Sequence, residues 1–439
     1  MSISPKRRRE IIDALRRGTV PRHSLDAFAV GLDHLEGVLS DELERASAGG
    51  SAFKAVRGEY GCGKTFFARW LCDRARRQGF VTSEVQISET ETPLHRLETV
   101  YRRLIENLAT PDKPSGALRN VVDGWFFTLE EDILAEGVVD PGDEAALLER
   151  TKTLVEQRLK RVSEAAPAFS SGLRGYRTAL AQGNAAIADA LLAWLGGQPN
   201  VAASAKRFAG IKGDLDHFGA LGFLQGLLSV IRDSGQAGLL LVLDEVETIQ
   251  RMRGDVRDKS LNALRQFIDD IDSGRFPGLY LLITGTSGFF TGPQGVPRLE
   301  PLAQRLHVDF DEEGRFDNPR AAQIRLAPFS LERLREVGAN VRDIYREDAT
   351  DSSRIESLCD DEYIATLAQA VAGKLGGKVG IAPRIFLKKL VADVLDRIDQ
   401  YPEFDPRKHY SLTIDEVEMT LVERQAVAVE SVDDIELDV

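Results

Sequence analysis

The chain reads as an α/β protein: a parallel sheet flanked by helices, with a helical insertion and a C-terminal helical lid. Three stretches carry that reading. A short apolar run, Ala52–Val56, passes through a glycine-rich loop into a strongly helical stretch, Thr65–Arg77. A second run, Leu239–Leu243, is apolar at every position and stops at Asp244-Glu245. A third, Leu279–Ile283, gives way to Thr284-Gly285-Thr286-Ser287. Short, continuously apolar runs suit strands of a parallel sheet that is covered on both faces.

The remaining elements follow from spacing. Residues 5–18 read as a helix with Ile11, Ile12 and Leu15 on one face and Gly18 to end it. Residues 24–47 read as another, with Leu32, Leu35, Val38, Leu39 and Leu43 at helical intervals. Ala48-Gly49-Gly50-Ser51 breaks it. Val81–Ile87 reads as a second strand and 92–109 as a helix. Between Pro111 and residue 218, Pro, Gly and Asp clusters separate Ala/Leu/Glu-rich helical runs. Gly222–Arg232 is a further helix, Gln323–Leu326 the last strand, and 331–347 and 353–399 are helical. The expected organisation is an N-terminal helical region (1–50), a core in two pieces (51–110 and 219–330), an insertion (111–218), a lid region (331–425) and an acidic tail (426–439).

Composition bounds the function. Of 439 residues, 56 are Lys or Arg and 69 Asp or Glu, a net charge of −13. A surface this acidic does not coat nucleic acid as a whole. DNA would need a local patch, and residues 1–22 offer one: Lys6, Arg7, Arg8, Arg9, Arg16, Arg17 and Arg22 against Glu10 and Asp13. Cys62, Cys72 and Cys359 are too few for a disulfide framework and lack metal-ligand spacing. A reducing, cytoplasmic setting without structural zinc is expected. No apolar run approaches the ~18 residues that a membrane span needs.

Gly58-Glu59-Tyr60-Gly61-Cys62-Gly63-Lys64-Thr65 fits G-x-x-x-x-G-K-[ST], with a strand before it and a helix after it, and Phe66 joins these residues as an expected nucleotide contact. This is the pattern of a P-loop NTPase. The glycines let successive N–H groups turn inward onto phosphate oxygens. The helix N-terminus adds partial positive charge. Lys64 would reach the β- and γ-phosphates of ATP, and the Thr65 hydroxyl would bind Mg2+. The apolar strand ending in Asp244-Glu245 supplies the complement. Asp244 would hold Mg2+, directly or through water, and Glu245 would orient the attacking water. Glu247 is a weaker alternative for that role. Adjacent acids favour hydrolysis over transfer to a small molecule.

A strand beside that acidic one would bring Thr284 or Thr286 near the γ-phosphate, where a hydroxyl can sense hydrolysis. Arg305 follows at the distance where ring ATPases carry an arginine finger that acts on the next subunit. Arg384 opens a helix and could reach back over the nucleotide; its planar, always-charged fork suits phosphate oxygens.

Together these residues resemble an AAA+ ATPase, most closely the origin-recognition and STAND-related branch. That resemblance implies a sheet of order 5-1-4-3-2 and a lid carrying Arg384. Gln323–Arg335 resembles the branch's strand-to-lid connection. A closer resemblance spans most of the chain. The N-terminal helices, Arg57–Thr65, the long insertion and Leu240–Glu247 are similar to the BrxD ATP-binding proteins of BREX anti-phage systems. It implies a phage-defence ATPase, a homo-oligomer, and a helicase-like partner. The origin-recognition pattern also includes a winged-helix domain of ~70 residues. His409–Gln425 offers only a strand and one helix. DNA contact therefore falls to the N-terminus, the insertion or a ring pore. Two functions remain open: an ATP-driven motor or switch, and a signalling scaffold that binds ATP but hydrolyses it poorly. No Asn-Lys-x-Asp motif supports a GTPase, and no acceptor-pocket signal supports a small-molecule kinase.

Overall fold

The computed structural model describes residues 3–137, 140, 142–160, 166–311, 314–374 and 383–414. At its centre is a five-stranded parallel sheet of β1 (Ala52–Arg57), β2 (Phe80–Gln86), β3 (Gly238–Asp244), β4 (Leu279–Gly285) and β5 (Gln323–Arg325). The order β2-β3-β4-β1-β5 is the one expected. Register sets Val56 opposite Thr284, Leu243 opposite Ile283 and Gln86 opposite Asp244. The carboxyl ends of these strands therefore share one edge, where open parallel sheets bind ligands.

β3 shows why its sequence is apolar throughout. Leu239, Leu241 and Leu243 belong to one buried cluster, and Leu240 and Val242 to the other. Successive side chains point to opposite faces, and both faces are covered. Each fully buried Leu contributes roughly 2 kcal/mol. The first cluster includes residues of helices Leu97–Glu106, Leu118–Ala135, Pro167–Ala181, His217–Asp233 and Gly254–Asp272. The second takes in α1 (Pro5–Arg16), α2 (Asp33–Ser47), α3 (Lys64–Arg77) and the C-terminal helices from Leu331 onward.

The described helices of 111–218 share the sheet's own core. Phe169 meets Phe223 edge-on at 5.2 Å. The Trp125 indole donates to Asp233 at 2.7 Å, and Arg158 pairs with the same carboxylate at 2.6 Å. On the opposite face Lys54 is buried beneath α2. It pairs with Glu42 at 2.7 Å and donates to the Ala321 carbonyl at 2.7 Å. Tyr280 donates to the other Glu42 oxygen at 2.5 Å. A buried charge persists only when it is paired in this way.

Some expected elements differ. Residues 24–47 do not form one helix: a 3-10 turn spans Leu25–Ala27, and α2 starts at Asp33. Ser24 and Gly31 both have left-handed backbones, φ 58° and 71°, which interrupt the helix. The helix expected over 92–109 is confined to Leu97–Glu106. Ala109 instead bridges Thr82 of β2. The helix expected over 353–399 breaks after Leu358; the Asp360 carboxylate then accepts from Tyr363 N at 2.8 Å as the next helix begins at Asp361. The helix near Gly222 already starts at His217, capped by Asp216. The acidic tail and residues 415–425 lie outside the described residues.

Two arginines of α1 are engaged with the C-terminal helices, while Lys6 and Arg9 are exposed. Arg8 pairs with Glu347 at 2.6 Å and Asp348 at 2.5 Å. Arg16 pairs with Asp396 at 2.6 Å, which also accepts from the Tyr345 hydroxyl at 2.9 Å. These contacts dock α1 on the C-terminal helices. Among the described residues no helix is long and apolar enough to cross a membrane.

Candidate functional site

The loop between β1 and α3 turns on glycine. Gly61 and Gly63 have φ 78° and 94°, which side chains with a Cβ rarely adopt. A Cβ on Gly58 would lie 2.4 Å from the Cys62 sulfur. The loop thus closes on itself and starts α3 at Lys64. The Lys64 ammonium donates to the carbonyls of Gly58 (2.9 Å) and Glu59 (3.0 Å) and lies 5.3 Å from the centre of the Tyr60 ring.

The strand ends bring the other groups to it. The Thr65 hydroxyl donates to Asp244 at 3.1 Å. Thr284, fully buried on β4, donates to the other oxygen of that carboxylate. Glu245 follows with a left-handed backbone, φ 59°, unusual for a residue with a Cβ. The Gln86 amide at the end of β2 donates to its carboxylate at 2.8 Å. Glu247 is 5% exposed and has a carboxylate oxygen without a hydrogen-bond partner among the described residues. Burial pushes its carboxyl above the ordinary range, against the pull of Lys64.

A cavity of about 1000 Å³ opens over these groups. Tyr60–Phe67, Asp244, Glu245 and Glu247 line one end. Val20, Pro21, Phe28, Val30, Leu32 and Leu387 supply an apolar lining. The segment that carries the first five of these is tied to α3: Arg69 donates to the Val20 carbonyl at 2.7 Å, Trp70 to Asp26 at 2.7 Å, and Ser24 N to Asp73 at 3.1 Å. Phe28 meets Phe66 edge-on at 5.3 Å. Sequence reasoning missed this end, and it also missed Gln86 and Arg333. A Cβ on Gly31 would lie 2.8 Å from the Arg333 guanidinium, so backbone and cation are pressed together there.

Every loop position from Tyr60 to Phe66 lines the cavity. Gly58 and Glu59 contribute the carbonyls under Lys64. Arg384 lines the cavity against the left-handed Gly18. Thr284 reaches Asp244, whereas Thr286 is buried at the start of the next helix. Arg305 is not among the cavity residues; it pairs with Asp269 and donates to the Pro301 carbonyl at 2.6 Å. Among the described residues no group of three His, Cys, Asp or Glu side chains stands ready for a metal. The adjacent hydroxyl and carboxylate of Thr65 and Asp244 nonetheless fit Mg2+, which prefers oxygen and keeps several waters.

A parallel α/β sheet with this loop at a strand's carboxyl end has the form of a P-loop-like nucleotide-binding protein. The particular family follows from comparison. The family model of the BREX system ATP-binding protein BrxC/D matches residues 3–414, and the chain belongs to that family. No curated protein matches the chain.

Proposed function

We propose that the chain binds Mg2+–ATP in this cavity and hydrolyses it, as an AAA+-like switch or motor in bacterial anti-phage defence. The observation that carries the reading is the convergence of Lys64, Thr65, Asp244 and Glu245 at one end of one cavity, with buried Thr284 bonded to Asp244 behind them. The base would enter the apolar end, beside Phe28 and Val30. The triphosphate would follow the loop, and Lys64 would exchange its two carbonyls for phosphate oxygens. Thr65 and Asp244 would hold Mg2+, which supplies charge neutralisation at the phosphates. Thr284 fixes Asp244 in place. Glu245 orients the attacking water and accepts its hydrogen bond, while Gln86 sets the carboxylate's position. Arg384 would contact the nucleotide from the lid region, 331–425.

In this reading 51–110 and 219–330 form the ATPase core, and 111–218 is an insertion into it. The protein would act in the cytoplasm, as a homo-oligomer and beside a helicase-like partner, with Arg305 reaching the neighbouring subunit's ATP. A second reading has one specific support. Glu245 is held by Gln86 and Arg305 by Asp269, so an isolated chain would turn over slowly and ATP would chiefly lock a conformation. Steady-state ATP hydrolysis tests both. Wild type should turn over ATP, and Glu245→Gln should bind ATP with turnover lowered roughly 100-fold or more. Equal turnover in the variant would remove Glu245 from the role. Binding without turnover in wild type would favour the locking reading.

A further inference from the structure

The segment Arg251–Lys259 holds four arginines and lysines in nine residues — Arg251, Arg253, Arg257 and Lys259 — in a chain of net charge −13. It leaves the carboxyl end of β3 and opens the helix Gly254–Asp272. The Arg253 side chain is 82% exposed, with Asp255 at 3.4 Å. Asp258 is already taken by Arg298. Lys259 is exposed. The neighbouring residue Ser260 lies 3.4 Å from the His95 ring, which places the loop before Leu97 against this helix. Arg96 on that loop is 58% exposed and faces Glu98 only at 3.6 Å. The cationic neighbours Arg96 and Lys259 add to burial in lowering the His95 pKa, as expected where positive groups crowd together. Next to this crowd stands Phe218, 88% exposed. Its ring lies 5.4 Å from that of His217, whose Nδ1 accepts from Leu97 N at 3.4 Å.

An exposed aromatic ring beside clustered cations is the pairing that single strands use: phosphates meet the cations and an unpaired base stacks on the ring. Duplex DNA could use the cations but would leave the ring in water. We propose that Arg96, Arg253, Lys259 and Phe218 form a binding surface for single-stranded nucleic acid. The N-terminal helix, one of the three regions that sequence left open for DNA contact, has Arg8 and Arg16 committed to other helices. The segment that carries Arg253 and Lys259 starts near the loop end of the cavity, where Arg251 faces the Tyr60 hydroxyl. Thr248 donates to the Ile87 carbonyl at 3.1 Å, and Gln86, the preceding residue, holds Glu245.

The test is fluorescence anisotropy on the full chain, without nucleotide, using a labelled 30-mer of thymidine and a 30-base-pair duplex. Omitting nucleotide keeps this proposal separable from the ATP reading. The 30-mer should bind, and more tightly than the duplex. Phe218→Ala should weaken 30-mer binding roughly tenfold with little change for the duplex. Arg253→Glu/Lys259→Glu should lower the log–log salt slope by about 0.7 for each phosphate left without its cation. Wild-type melting temperature and ATP binding in each variant certify folding. No 30-mer binding at 50 mM salt, duplex preference, or unchanged affinity in both variants overturns the proposal.

Discussion

The two ends of the cavity are built by different means. The end around Lys64 comes from groups close to strand ends: the loop after β1, and Asp244 and Glu245 at the end of β3, braced by Thr284 of β4 and Gln86 of β2. Strand register alone brings them together. The apolar end comes from residues 20–32 and the C-terminal helices, held over α3 by contacts of Arg69, Trp70 and Asp73. One end is rigid because a sheet positions it. The other depends on how the N-terminal and C-terminal helices pack.

The sharpest break between the ends concerns chemistry rather than affinity. Arg305→Ala should leave ATP binding intact and lower turnover by roughly 1000-fold, the scale of an arginine finger. Wild-type specific activity should then rise with protein concentration if the finger acts on a neighbour. Concentration-independent turnover that survives the substitution would leave Arg305 as the surface partner of Asp269.

At the apolar end, Gly31→Ala should cost about 1 kcal/mol of stability at its left-handed backbone position. Displacing Arg333 should also weaken ATP several-fold while leaving tripolyphosphate unaffected. Calorimetry with both ligands separates the ends; equal loss for both would mean they are one rigid unit.

The smallest effect is electrostatic. Glu247 has its folded pKa raised by burial. For such a group the stabilising contribution is full below the ordinary carboxylate pKa and is lost as pH rises through the folded value. Glu247→Gln should therefore gain melting temperature over wild type as pH rises from 4 toward 8, by a few degrees for ~1 kcal/mol. A gap that stays constant with pH would show that the carboxyl carries no burial penalty.

How much of this was legible follows the same division. The meeting of Lys64, Thr65, Asp244 and Glu245 was readable because two short segments carry them at fixed spacing. Thr284 was readable because an apolar run stops there. Gln86 left no local signal; only the pairing of β2 with β3 puts it opposite Asp244. Residues 24–32 were misread as helix because the leucine spacing of α2 runs back to Leu32. The signals against a helix were Gly31 and the flanking Phe28 and Val30, whose burial makes sense only once the cavity is known. The shared core of the insertion was hidden for a similar reason, since Phe169 finds Phe223 only through folding.

The most direct measurement is isothermal titration of Mg2+–ATP into wild type and Lys64→Ala. Wild type should show one saturable site, and affinity should fall by about 1.5–3 kcal/mol, roughly 10- to 150-fold, when the ammonium is removed. Lys64→Ala binding ATP as tightly as wild type would contradict that reading, because the phosphates would then lie somewhere other than this loop.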